Sequence, residues 1–218
     1  MARLLTGSVG MFKVGKQLFT AAGPEALRKL SALGARIFLD LKYHDIPNTV
    51  AGAVRAAVAH PGVELLNVHA LGGRAMMEAA AKAMPRGATR PKLLAVTILT
   101  SMDQRAMREV GIQGTPAARV LRLARLAQDC GVDGVVASPL EVRSIRKACG
   151  PDFLLVLQGI RPSGSDLHDQ KRTATPAAAI GDGADYLGVG RAITQAADPV
   201  AAAAAIAAEI ADALGERN

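Results

Sequence analysis

The stretch Ile37-Phe38-Leu39-Asp40-Leu41-Lys42-Tyr43-His44-Asp45-Ile46-Pro47-Asn48-Thr49 contains one complete β-to-α junction. An apolar run reads as a buried strand, a polar turn follows, and Asn48-Thr49 lead a helical pattern over residues 50–59. Six more apolar runs, at residues 9–14, 65–70, 93–99, 134–138, 154–160 and 186–190, suit buried parallel strands. A helical pattern follows each of them, at 25–33, 74–84, 117–129, 140–148, 177–181 and 200–214. Several of these open mechanically, with Pro at the first helical position: Thr115-Pro116, Ser138-Pro139, Thr175-Pro176 and Asp198-Pro199.

Regular β-α alternation with short connections implies a parallel sheet covered by helices. A (β/α)8 TIM-type barrel needs eight strands, and seven are visible here. Residues 1–7 read as the tail of a helix ending at Gly7. The expectation is therefore a single barrel domain over residues 1–218, N-terminally incomplete, whose first strand is missing. A doubly wound sheet is the alternative, though it accounts less well for a leading helix remnant.

Composition narrows the function. The chain of 218 residues is half apolar, mostly aliphatic or alanine, which suits alanine-rich helices on Val/Leu/Ile strands. Its formal charge of +7 raises the question of nucleic acid, but the Arg and Lys are dispersed along helical stretches. Two Tyr, four Phe and no Trp are too few for a base-stacking platform. A solvated basic face that steers an anionic small molecule fits better. Cys130 and Cys149 each precede a glycine and lack metal-ligand spacing, which points to buried thiols in a reducing compartment. No apolar run approaches the roughly 18 residues of a membrane span. With no signal-peptide pattern around Lys13 and Lys16, a cytoplasmic location is expected.

Alternation along a strand puts Asp40 and Lys42 on one face, and Asp45 follows in the loop. A lysine between two carboxylates is held as a cation with a proton to give. A strand-end salt bridge followed by a helix cap is the other reading, and spacing alone leaves both open. Lys13, inside the apolar strand Phe12-Lys13-Val14-Gly15, needs a partner or an exit to solvent, and Asp40 on the next strand is its natural counterpart. Asn67 and His69 share a face of the following strand and suit a polar layer or the shaping of a site; a structural role is favoured for His69. Thr100-Ser101 closes the next strand pattern. Arg161, in Gly159-Ile160-Arg161-Pro162, and Arg191, in Gly188-Val189-Gly190-Arg191, follow the last two strands, where barrel enzymes commonly hold a phosphate. Gly190 would let a backbone N–H approach the anion, and an arginine can bind two of its oxygens; rim salt bridges are the alternative.

Taken in order, these segments resemble the bacterial orotidine 5′-monophosphate decarboxylase family. The resemblance runs from about Val9 to the C-terminus, through Phe-Lys-Val-Gly, Asp-Leu-Lys-Tyr-His-Asp-Ile-Pro-Asn-Thr, Asn-Val-His-Ala-Leu-Gly-Gly, Thr-Ile-Leu-Thr-Ser-Met, Gly-Ile-Arg-Pro with Asp-Gln-Lys-Arg, and Val-Gly-Arg. It implies a (β/α)8 barrel that acts as a homodimer, without metal or cofactor, and makes uridine monophosphate in pyrimidine synthesis. It makes Lys42 the proton donor to C6, with Asp40 and Lys13 in the same charged network. Asp45 and Thr49 would reach into the partner's site. Thr100 would lie beside the pyrimidine, and Gln170 would bridge base and phosphate. Arg161, Arg191 and the Gly190 backbone would hold the phosphate.

Three departures stand out: Gln158 and Ala192 where the family usually has Pro, and no N-terminal strand carrying a ribose-binding aspartate. Two other readings follow. One is a metal-dependent sugar-phosphate decarboxylase or aldolase of the same superfamily. The other is an inactive, truncated barrel retaining weak nucleotide or phosphate binding.

Overall fold

The structure, a computed structural model, describes residues 1–161 and 173–215. Among the described residues seven strands carry the fold: β1 (Phe12–Gly15), β2 (Ile37–Tyr43), β3 (Val63–His69), β4 (Lys92–Val96), β5 (Gly134–Ala137), β6 (Leu154–Gln158) and β7 (Tyr186–Gly188). Their order in the sheet follows the chain, β1-β2-β3-β4-β5-β6-β7. A doubly wound sheet reverses its strand order at a switch point, so this sequential order rules out the alternative. By contact density the chain divides into two compact units, Met1–Val96 with Leu126–Gly134, and Thr97–Arg125 with Val135–Asn218.

The first unit begins with α1 (Ala2–Leu5), and the chain turns at Gly7, where φ is +87°. Strands β1 to β4 pair in parallel, with Gly15 opposite Asp40, Leu39 opposite Leu66 and Asn67 opposite Leu94. Helices α2 (Lys16–Ala22) and α3 (Pro24–Ser31) lie between β1 and β2; α4 (Pro47–Val58) and α5 (Gly73–Ala83) flank β3. Helix α4 buries Val50, Ala51, Val54 and Ala57, a single stripe at helical spacing, and α5 buries Met76, Met77 and Ala80. Leu39, Leu66 and Leu93 stand in register on one face of the sheet and are buried, and Leu94 is buried on the opposite face.

The second unit contains α6 (Gln104–Glu109), most of α7 (Pro116–Asp129), α8 (Val142–Cys149), α9 (Pro176–Gly181), α10 (Arg191–Thr194) and α11 (Pro199–Gly215). Strands β6 and β7 pair in parallel from Val156–Tyr186 to Gln158–Gly188. A Cβ at Gly188 would lie 3.1 Å from the Leu157 carbonyl oxygen, so the close approach of β7 to β6 favours glycine there. The Thr175 hydroxyl caps α9 by accepting the Ala178 N–H, and Glu209 of α11 accepts the Ala177 N–H at 3.0 Å.

One device occurs once in each unit. After the helix-ending Gly131, the Asp133 carboxylate accepts two bonds from Arg90 (2.8 and 2.7 Å) and the Leu93 N–H at 2.8 Å. After Gly183, the Asp185 carboxylate pairs with Arg146 at 2.7 Å and accepts the Leu155 N–H at 2.7 Å. Each aspartate thus ties the start of one strand to the chain entering the next. The motif Gly-apolar-Asp marks both sites in the sequence.

The strand and helix patterns read from the sequence are largely borne out; five strands are shorter than the runs, while β2 and β3 are each one residue longer. The run at 93–99 ends as a strand at Val96, and helix α4 starts at Pro47 rather than after Asn48-Thr49. Helices α2, α6 and α10 were not expected, because segments of four to seven residues are too short to show an apolar period.

Candidate active site

The site in the first unit is built around Asp40, which sits on β2 with 2 % of its surface exposed. Lys13 of β1 approaches Oδ2 at 3.0 Å, and Lys42 Nζ lies 2.6 Å from Oδ1. Asn67 of β3 donates from Nδ2 to Oδ1 at 2.7 Å. Burial pushes the Asp40 carboxyl towards its neutral form. The two lysine charges and the bonds from Lys42 and Asn67 oppose this and prevail, holding the group well below the usual carboxylate range. The result is a buried, ionised carboxylate gripping two cationic side chains. Both lysines keep contact with solvent, at 42 % exposure for Lys13 and 23 % for Lys42.

Simple alternation does not bring Asp40 and Lys42 together. Between Leu39 and Tyr43 the chain advances four residues while its pairing partners advance only from Leu66 to Val68. This β-bulge places Lys42 at φ +52°, the one non-glycine residue with positive φ among the described residues. The bulge takes the Lys42 N–H out of the ladder, and Asn67 Oδ1 accepts it at 2.7 Å. Asn67 therefore uses both ends of its amide, one on the Asp40 carboxylate and one on the Lys42 backbone. Its place on the face was readable from the sequence; this clamp was not.

His69, at the end of β3, caps the following turn by accepting the Leu71 N–H on Nδ1 at 3.4 Å. Its ring stacks on His44, with centroids 5.4 Å apart and planes inclined by 21°. Burial, then the nearby His44, Lys42 and Lys16, lower its pKa to about 4, so at neutral pH the ring is uncharged and can accept that N–H. The structural role expected for His69 agrees with this capping geometry.

Asp45 stands apart from the cluster. It is exposed, and its Oδ1 accepts the neighbouring Ile46 N–H at 2.6 Å. It forms no ion pair among the described residues, and the carboxylate paired with Lys42 there is that of Asp40. Thr49, on the first turn of α4, is exposed too.

In the second unit, Arg161 follows β6 and is 8 % exposed; its Nη1 donates to the Ile160 carbonyl at 2.8 Å, and its backbone N–H to Ala174 at 3.0 Å. Gly190 is exposed, precedes α10, and has no atom within 4 Å of the position a Cβ would take. Arg191 opens α10, and Thr100 follows β4; both are half-buried. Gln170 lies outside the described residues.

The family model for orotidine 5′-phosphate decarboxylases and the HUMPS group matches residues 1–206. The chain belongs to this family. It is 57 % identical over 212 residues to an orotidine 5′-phosphate decarboxylase of Moorella thermoacetica, covering 94 % of this chain and 84 % of the relative. It is 59 % identical over 199 residues to that of Halorhodospira halophila, covering 91 % and 84 %. Among solved structures, that of orotidine 5′-phosphate decarboxylase from Lactobacillus acidophilus superposes with a TM-score of 0.80 at 44 % identity, covering 91 % of this chain and 85 % of the other. The Pyrococcus horikoshii enzyme gives 0.77 at 27 % identity, covering 96 % and 91 %. The family resemblance and the TIM-barrel fold class read from the sequence are thereby established.

Proposed function

We propose that this chain decarboxylates orotidine 5′-monophosphate to uridine 5′-monophosphate in pyrimidine biosynthesis, a carbon–carbon lyase working as a single barrel domain. The carrying observation is the buried, ionised Asp40 held between Lys13 and Lys42 in a chain of this family. Loss of CO2 from C6 of the pyrimidine leaves a carbanion with no adjacent π system to spread its charge. The protein must stabilise that charge itself, and each 1.36 kcal/mol supplied is worth about tenfold in rate. Lys42 sets a cation beside the developing carbanion and then delivers a proton to C6. Asp40, fixed by Lys13 and Asn67, holds that ammonium in position before the substrate arrives.

The remaining roles complete the reading. Arg161, Arg191 and the Gly190 backbone grip the phosphate, Thr100 lies beside the base, and Gln170 bridges base and phosphate. Asp45 and Thr49 serve the partner's site in a homodimer. Their exposure, and the lack of an ion pair to Asp45 among the described residues, support an outward role. A cytoplasmic setting suits a small-molecule enzyme of nucleotide synthesis, and no described helix is long and apolar enough to cross a membrane. The reading needs no metal or cofactor, and no group of three or more candidate metal ligands occurs among the described residues.

The test is decarboxylation of orotidine 5′-monophosphate by the purified chain, followed by the ultraviolet change, with Lys42→Ala as blank. Turnover above the blank that survives chelation supports the reading. Turnover lost on chelation would contradict a metal-independent reaction, and none at all would favour an inactive barrel or a metal-dependent sugar-phosphate enzyme.

A further inference from the structure

We propose that Asn67 is a positioning residue for the reaction, acting through Lys42 and Asp40 rather than on the substrate. The inference rests on the decarboxylase reading above. Asn67 is fully buried on β3, and each end of its side-chain amide meets a different part of the catalytic array. Nδ2 donates to Asp40 Oδ1, the same oxygen that receives the Lys42 ammonium, and Oδ1 accepts the Lys42 backbone N–H, both at 2.7 Å. The second bond falls where the β-bulge has removed the ladder partner of Lys42 and forced its φ to +52°. One amide thus holds the backbone from which Lys42 projects and the carboxylate that receives its tip.

An amide is suited to this task because it offers a donor and an acceptor in one plane. Aspartate has the same shape but presents an acceptor where Asp40 needs a donor. The charged and titratable groups around position 67 are Lys13 on β1, Asp40 and Lys42 on β2, and His69 on β3 with His44 stacked against it. From β4 the register partners of Asn67 and His69 are Leu94 and Val96, which bring no charge. In Asn67→Asp the two facing carboxyls share a proton at low pH, which restores a donor to Asp40, and lose it as the pH rises. The activity of this variant relative to wild type should be highest at acid pH and fall as that proton leaves.

The experiment uses the full chain and two variants, Asn67→Ala and Asn67→Asp. For each, kcat and KM for orotidine 5′-monophosphate are measured across pH, and hydrogen exchange at the Lys42 amide is followed by NMR. Asn67→Ala is expected to lower kcat on the order of 10²-fold, the usual consequence of misplacing a reacting group by about 1 Å, with KM changed less than about threefold. Its Lys42 amide should exchange about tenfold faster, whereas Asn67→Asp, which keeps an acceptor, should protect it. Unchanged kcat in Asn67→Ala, or a pH profile of Asn67→Asp parallel to wild type, would overturn the proposal. So would unchanged Lys42 exchange in Asn67→Ala. If wild type itself shows no turnover, the functional reading fails while the exchange measurement still decides whether Asn67 holds Lys42.

Discussion

Replacing Lys42 by glycine should give a more stable protein than replacing it by alanine, the reverse of the order found at ordinary positions. Both variants lose the Nζ–Asp40 pair at 2.6 Å and keep the Lys13 pair with that carboxylate, so their difference isolates the backbone. At a β-region or helical residue, glycine is about 0.5–1 kcal/mol less stable than alanine, because it loses more freedom on folding. Residue 42 has φ +52°, where a Cβ crowds the following carbonyl and costs about 1–2 kcal/mol. Subtracting the two leaves glycine ahead by about 0–1.5 kcal/mol, with a midpoint of about 0.75 kcal/mol. For a chain of this size the midpoint corresponds to a rise of about 1.5–3 °C in Tm. Urea and thermal unfolding of the two variants, followed by circular dichroism, measure the difference directly, and both should be inactive. If alanine proves the more stable by its usual margin, Lys42 is not held at positive φ, and the bulge as the device that aims it is refuted.

Asp40→Asn should abolish turnover and destabilise the fold by about 3 kcal/mol, at the lower end for a broken buried pair because both lysines reach solvent. The Asp40 carboxyl is held below its unfolded pKa of about 3.9, so its contribution is complete above that pH and is lost as the pH falls towards the folded value. The stability gap between wild type and Asp40→Asn should therefore shrink between neutral pH and pH 3 in urea titrations; a constant gap would contradict the charge assignment. Asp185→Ala removes the acceptor of the Leu155 N–H and the partner of Arg146, and is expected to lose about 2 kcal/mol while leaving kcat unchanged. Unfolding midpoints and turnover measured side by side would separate the two effects. Arg191→Ala should weaken binding of uridine 5′-monophosphate by at least tenfold and leave uridine binding nearly unchanged; equal weakening by calorimetry would count against a phosphate role.

Much of the architecture follows from local chemistry. The apolar runs at 37–42 and 154–160 and the prolines at 116, 176 and 199 mark strands and helix starts, because burial on a sheet and the fixed φ of proline act within a few residues. The Lys13–Asp40 pair was readable for the same reason: strands adjacent in sequence lie adjacent in the sheet, so their charged residues had few places to go. The short helices α2 and α10 left no periodic trace, and the aspartate ties at Asp133 and Asp185 depend on arginines about 40 residues away.

The sequence by itself decided that alternating strands and helices would form a parallel barrel-type sheet, and that a lysine and a carboxylate would share the end of its second strand. Only the tertiary structure decided how they meet. Pairing of β2 with β3 inserts the bulge, turns Lys42 to positive φ and leaves its N–H for Asn67 to accept. A strand's register is set by its neighbour across the sheet. The two residues that make the clamp lie 25 positions apart, beyond the reach of any local pattern.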